Sequence, residues 1–345
     1  MRQLVDHLAD GADLNRSEVN LAVTLLLSGK VEATEKADFL RALHAKGESA
    51  EEITGFVEQL IDRAIDPGID PATLPGPMVD VCGTGGSGLD LFNVSTTIMF
   101  ILAAGGAAVV KHGNRSVTSC CGSADVLEAL GIPLEWPPEK LKESLERIGI
   151  GFIFARLYHP AFRQLAEMRA QLAREKTRTI FNLLGPLLNP TRPQRQFIGV
   201  YNPRMTTVFA DVLHQLGRER AWIVHGLTEE GEGMDNISIS GATTLAELGS
   251  DKISSAVIDC RWLGIAAASV NDVRGGDATE NAKTLTGILS GEVTGPKADL
   301  AAVNAGGAFV VAGLAKDLGE GIWYARQQIK SGRALKKLHA LQAFR

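Results

Sequence analysis

Residues 66–77 read DPGIDPATLPGP, with four prolines and two glycines, and the periodicity of the chain changes across them. Before this stretch the apolar residues keep helical spacing. Ser49 and Glu52 form a capping box, and Ile53, Phe56, Val57, Leu60, Ile61 and Ala64 follow at intervals of three and four. Thr34 is placed to cap a helix carrying Phe39, Leu40 and Leu43, with Gly47 as its stop, and a further helix is expected over 17–27. After residue 77 the pattern is different. MVDVC, AAVVK, IGFIF, RQFIGVY, AWIVH and SSAVID read as strands, with amphipathic helices over 138–148, 161–174 and 205–216 between them. Such alternation builds a mainly parallel sheet flanked by helices. The expected fold is therefore α/β, with a small N-terminal helical domain over 1–70 and a larger α/β domain over 71–345. The proline-rich linker forms part of a hinge. Helices over 297–316 and 319–330 and a basic tail, RALKKLHALQAFR, close the chain.

Two turns stand out at the ends of expected strands. GTGGSGLDLFNVST (83–96) follows the first, and KHGNRSVTS (111–119) follows the second. Gly83, Gly85 and Gly86 lack a Cβ, so the chain there can bend sharply and bring N–H groups against an anion. A glycine turn of this kind also serves packing alone in many α/β proteins. The neighbouring Lys111, Asn114 and Arg115 move the balance toward a phosphate-rich ligand. Ser95 and Thr96 precede an apolar helix, where they serve either as caps or as ligands to a phosphate at the helix N-terminus.

A net charge of −5 argues against a general nucleic-acid binder, although Arg333, Lys336, Lys337 and Arg345 could form a basic patch. The opening MRQLVDHLADGADL has no apolar core of the secretory kind, and no apolar run is long enough to span a bilayer. Cys82, Cys120, Cys121 and Cys260 fit neither a zinc site nor a CxxC motif and point to a reduced, cytoplasmic protein. The loop 227–236 carries Glu229, Glu230, Glu232 and Asp235, which suits a metal site or a solvated cluster equally well.

Together with GSADVLEALG (122–131), HPA (159–161), RTIFNLLGPLLNP (178–190) and GGDATENA (275–282), the two turns resemble the signature of the anthranilate phosphoribosyltransferases, structural relatives of the pyrimidine nucleoside phosphorylases. The resemblance covers nearly the whole chain. It implies a cytoplasmic homodimer made through the helical domain, to which the C-terminal helices return, and a cleft between the domains. The implied substrates are phosphoribosyl pyrophosphate and anthranilate or a related aromatic amine, with Mg2+ as cofactor and neither nucleic acid nor membrane as a partner.

The resemblance also assigns residues. Gly83, Gly85, Gly86 and Ser87 would meet the pyrophosphate, and Asn93, Ser95 and Thr96 would line the phosphoribosyl donor. Lys111, His112, Gly113, Asn114, Arg115, Ser119 and Ser123 would contact its phosphates. Asn114 would also bond the aromatic acid, and Arg169 would clamp its carboxylate, a task suited to a planar fork. Ser95, Asp235 and Asn236 would hold the magnesium. Lys111, Asn114 and Arg169 are the expected catalytic residues. Three positions depart from the family pattern: Ser87 replaces an aspartate, Leu91 a hydroxyl-bearing residue, and Asn236 a glutamate. The stretch from Arg169 to Arg178 is also about three residues longer than the family spacing. These departures keep open a nucleoside phosphorylase or another glycosyltransferase with altered substrates, and a non-catalytic nucleic-acid-binding relative.

Overall fold

The capping box at Ser49 closes as its sequence requires: Glu52 N–H donates to Ser49 Oγ at 3.3 Å, and Ser49 N–H donates to Glu52 Oε2 at 2.8 Å. It starts the helix Ala50–Ile61, which buries Ile53, Phe56, Val57, Leu60 and Ile61; Ala64 lies past its end. The preceding helix, Ala33–Lys46, begins behind Glu32, so Thr34 lies inside its first turn and is not the cap. Gly47 ends that helix with a φ of 91°. Asn15, unread in the sequence, caps Arg16–Leu26 through a second box with Glu18. With Arg2–Ala9 these helices form the N-terminal domain. The computed structural model describes residues 1–345 except 117–119, 176, 251 and 345 and the side chains of residues 170 and 173.

The linker is seated rather than loose. Ile65 N–H donates to the Tyr158 carbonyl at 2.8 Å, Asp70 caps a 3-10 turn at Pro71–Thr73, and Ile69 and Leu74 pack against Met78, Val110 and Tyr158.

Beyond it the strands are β1 (Met78–Gly83), β2 (Ala108–Gly113), β3 (Ile150–Phe154), β4 (Arg195–Gly199), β5 (Arg220–Leu227), β6 (Gly233–Met234), β7 (Thr243–Gly249) and β8 (Lys252–Ile258). They form one sheet in the order β3-β2-β1-β4-β5-β7-β8, with β6 paired to β5. Pairing is parallel from β3 to β5, whereas β7 and β8 add antiparallel strands. The chain leaves β1 toward β2 and β3, then returns to β4 on the other side. Strand order thus reverses between β1 and β4, where a parallel sheet opens a crevice at the C-terminal ends of its strands. Gly83 and Gly199 are partners at that point.

Side chains alternate across the sheet and divide the core in two. Val79, Val81, Phe197, Trp222 and Val224 face the helix Val94–Ala104 and the C-terminal helices Pro296–Ala312, Leu318–Lys330 and Arg333–Ala343. Cys82, Ile198, Val200, Ala221 and Ile223 share the other core with Leu4, Val23, Phe39 and Phe56 of the N-terminal domain. Among the described residues the C-terminal helices pack mainly on Val94–Ala104, and their apolar faces are taken up by that first core rather than by the one that holds the N-terminal helices. The tail is itself the helix Arg333–Ala343, and Lys337 Nζ donates to the Ile148 carbonyl. That bond draws Lys337 out of the expected basic patch, and Arg345 lies outside the described residues. Among the described residues no helix is long and apolar enough to cross a membrane.

Candidate active site

The glycine turn leaves β1 at the reversal point. Gly85 and Gly86 have φ of 65° and 78°, a region that disfavours side chains, so glycine is needed for this path. Thr84 N–H donates to the Gly199 carbonyl at 2.9 Å, Gly85 N–H to Asp235 Oδ2 at 2.9 Å, and Arg178 Nη2 to the Gly86 carbonyl at 2.7 Å. Asp235 reaches the turn because β5 and β6 fold the acidic loop back over it. Burial raises its carboxyl above the usual range, against the pull of the Gly85 N–H and of Lys111. Within the loop, Glu229 instead accepts from Ser269 Oγ at 2.5 Å and from Val270 N–H at 3.1 Å, at the start of a 3-10 turn that Ser269 caps, a structural role.

Lys111 runs inward. Only 2% exposed, it donates from Nζ to the Val81 carbonyl at 2.7 Å and to Ser95 Oγ at 3.0 Å. Burial lowers its ammonium pKa, while the carboxylates of Asp80 and Asp235 oppose that shift. Asp80, a lone charge in an apolar strand, is pushed up to about 6 by burial, and Asn189 Nδ2 donates to it at 3.0 Å. Ser95 and Thr96 do not cap the helix Val94–Ala104; Ser95 serves Lys111, and the buried Thr96 hydroxyl has no partner among the described residues. Asn93 precedes that helix, donates to the Cys121 carbonyl at 3.2 Å and accepts from Asn281 at 2.9 Å.

The basic turn does not present all its cations to one place. Arg115 forms a two-pronged pair with Glu128, at 2.7 and 2.9 Å, and a longer contact with Asp125 at 3.3 Å. Gly113 is needed where the chain passes Ser123 and Phe152, since a Cβ would collide with Ser123 Oγ. Asn114 Oδ1 accepts from Arg115 N–H at 2.8 Å, and its carbonyl accepts from Ser123 Oγ at 3.4 Å. His112 is packed: Nδ1 meets the Gly185 carbonyl at 3.0 Å, the ring abuts His159, and Nε2 has no partner among the described residues. Arg169 is partly buried on the helix Ala166–Arg174, which packs on the N-terminal helix Ala33–Lys46. Burial lowers its pKa, and no ion pair holds it among the described residues. Ser119 lies outside the described residues. Burial raises the thiols of Cys82, Cys121 and Cys260, which disfavours thiolate chemistry there.

Residues 75–335 match the glycosyl transferase family, a/b domain, and residues 2–64 its helical bundle domain. An anthranilate phosphoribosyltransferase of Desulfatibacillum aliphaticivorans is 42% identical over 99% of this chain and 98% of its own, and one of Haloferax volcanii is 43% identical over 99% of both. The crystal structure of the enzyme so named from Thermus thermophilus superposes with a TM-score of 0.89 at 38% identity, over 99% of this chain and 98% of that one. The chain belongs to the anthranilate phosphoribosyltransferase family.

For a phosphoribosyltransferase, the elements that meet at the reversal point are the glycine turn, Asp235 and the Lys111–Ser95 pair. Among the described residues no three His, Cys, Asp or Glu side chains cluster to hold a metal on their own. Magnesium takes one or two carboxylates and completes its shell with water and substrate phosphates. Asp235, Asn236 and Ser95 offer only oxygen toward such an ion, and Asn236 Nδ2 donates to Asp235 Oδ1 at 3.4 Å. Sequence reasoning passed over Asp80, Asn189, Tyr201 and Arg178. The signal for Asp80 was a carboxylate in the middle of a buried strand. For Arg178 there was none beyond its place in RTIFN.

Proposed function

We propose that this phosphoribosyltransferase moves the phosphoribosyl group of phosphoribosyl pyrophosphate onto the amine of anthranilate, as in tryptophan biosynthesis. The C1–oxygen bond to pyrophosphate breaks and a C1–nitrogen bond forms. The products are N-(5-phosphoribosyl)anthranilate and pyrophosphate, and the amine proton passes to solvent. The observation that supports this reading best is the meeting of Gly83–Gly86, Lys111, Ser95 and Asp235 at the strand reversal.

Negative charge builds on the leaving group and positive charge on the ribose ring, so anion stabilisation and positioning matter more than a strong base. The glycine turn offers the N–H groups of Gly86 and Ser87 to the pyrophosphate, those of Thr84 and Gly85 being held by Gly199 and Asp235, and Lys111 fixes the Ser95 hydroxyl beside it. Asn93, Thr96, Gly113, Asn114, Arg115, Ser119 and Ser123 complete the donor site in this reading; Arg169 and Asn114 orient anthranilate. A yeast relative solved in complex with phosphoribosyl pyrophosphate and magnesium shares the fold at 24% identity. In this chain Asp235, Asn236 and Ser95 would hold the ion, which would screen the phosphate charge. The same reading divides the chain into residues 1–70 and 71–345, makes it a homodimer through the helical domain and places it in the cytoplasm.

Anthranilate fluorescence tests the reading directly. The expected result is magnesium-dependent loss of signal in the presence of phosphoribosyl pyrophosphate, reduced at least about a hundred-fold in Lys111→Met. A flat trace from folded wild-type protein overturns it.

A further inference from the structure

Arg178 lies outside the donor and acceptor residues named above, yet it grips the glycine turn. Its guanidinium lies over the Tyr201 ring, with Cζ 3.9 Å from the ring centroid, and Nη2 donates to the Gly86 carbonyl at 2.7 Å. The platform is itself tied to the turn, since Tyr201 N–H donates to Thr84 Oγ1 at 3.2 Å. Stacking holds the fork in one plane at an exposed position, where a mobile side chain would otherwise lose that bond to water.

The consequence follows from peptide geometry. A trans peptide is planar and its C=O and N–H point in opposite directions. Arg178 draws the Gly86 carbonyl to one side, so the N–H of Ser87 is turned to the other. Asp235 fixes the plane before Gly85 in the same way, from the opposite end of the turn. Gly86, with φ of 78°, has no side chain to resist rotation of the plane that follows it. Arg178 is what sets that plane. Residue 87 carries no carboxylate in this chain, and its hydroxyl accepts from Leu89 N–H at 3.4 Å, so its backbone N–H is the donor that this peptide plane orients.

We propose that Arg178, braced on Tyr201, is a positioning residue for the phosphoribosyl donor: it orients the Gly86–Ser87 peptide so that its N–H meets the pyrophosphate. The proposal rests on the transferase reading above. Arg178 also begins the RTIFN segment between Arg169 and Gly185, whose carbonyl holds His112, so the donor turn is anchored to the acceptor side of the cleft.

Steady-state kinetics of Arg178→Ala, Arg178→Lys and Tyr201→Leu, with titration of magnesium pyrophosphate into each protein, test it. Arg178→Ala is expected to raise the KM for phosphoribosyl pyrophosphate and weaken pyrophosphate binding about ten-fold each, the effect of one lost charge-assisted bond. The KM for anthranilate should stay within about two-fold of wild type. Lysine keeps a donor without the stack and should restore part of the loss; Tyr201→Leu should show a smaller rise of the same kind. Unchanged pyrophosphate binding in Arg178→Ala, or equal rises in both KM values, overturns the proposal. An inactive wild type would instead overturn the transferase reading, so the two failures are distinct.

Discussion

His112 and His159 are buried neighbours whose rings meet edge to face at 5.2 Å, and neither has a carboxylate to balance a charge. Burial pushes His112 down to about 3 and His159 to about 4, from an ordinary 6.5. Depressed values mean that their contribution to stability is complete above pH 6.5 and is lost as pH falls toward 4. At pH 5 each histidine should cost about 2 kcal/mol. Asp80 works in the opposite sense: raised to about 6, it favours the folded state as pH falls from 6 to 4 and returns about 1 kcal/mol at pH 5. The expected outcome is a net loss, seen as a lower urea midpoint at pH 5 than at pH 7. His159→Gln keeps a donor for the Leu188 carbonyl and should flatten that decline; an equally steep decline in the variant would remove the histidines as its cause. At this scale the sequence was legible in kind but not in direction. KHGNR announced cations beside a glycine turn, yet Lys111 points inward from β2 while Arg115, just past the strand, reaches Glu128 on the next helix. Strand parity and a partner thirteen residues away decide those directions, and neither can be read from the turn itself.

Among the elements, the strand ends are packed most closely where the site begins. A Cβ on Gly83 would collide with Asp235 Oδ2, the atom that accepts from Gly85 N–H. Gly83→Ala should therefore push Asp235 off the turn, cost about 1–3 kcal/mol in stability and raise the KM for phosphoribosyl pyrophosphate. Urea unfolding and donor kinetics check this, and a wild-type KM would show that the turn tolerates the displaced carboxylate. The strands themselves were visible from their apolar runs, as in IGFIF and in the AVV of AAVVK. β7 was missed because TTLAELG places Glu247 and a terminal glycine in a short run, and its pairing to β5 is supplied only by the sheet. Thr34 failed as a cap for a related reason: the first turn forms two residues earlier, behind Glu32, and local hydroxyl chemistry did not outweigh the packing of Phe39 and Leu40.

For the molecule as a whole, the change of periodicity at residues 66–77 marks where the architecture changes but not how tightly the parts are joined. Ile198, Val200 and Ile223 of the sheet share one core with Val23, Phe39 and Phe56 of the N-terminal helices. Unfolding should be a single cooperative transition by calorimetry, and removal of residues 1–70 should expose the sheet and yield an aggregating protein. Two separated transitions would show that the shared core is too weak to join them. The three substituted positions of the family pattern all lie on loops. Ser87 follows β1, Leu91 lies in the same crossing, and Asn236 follows β6. None takes part in the paired registers of β1, β2, β4 and β5. Those three substitutions thus leave the sheet registers untouched, although Gly83 and Lys111 serve sheet and site alike. A lineage could drift to a new substrate, or to silence, and its members would still melt, scatter and crystallise alike.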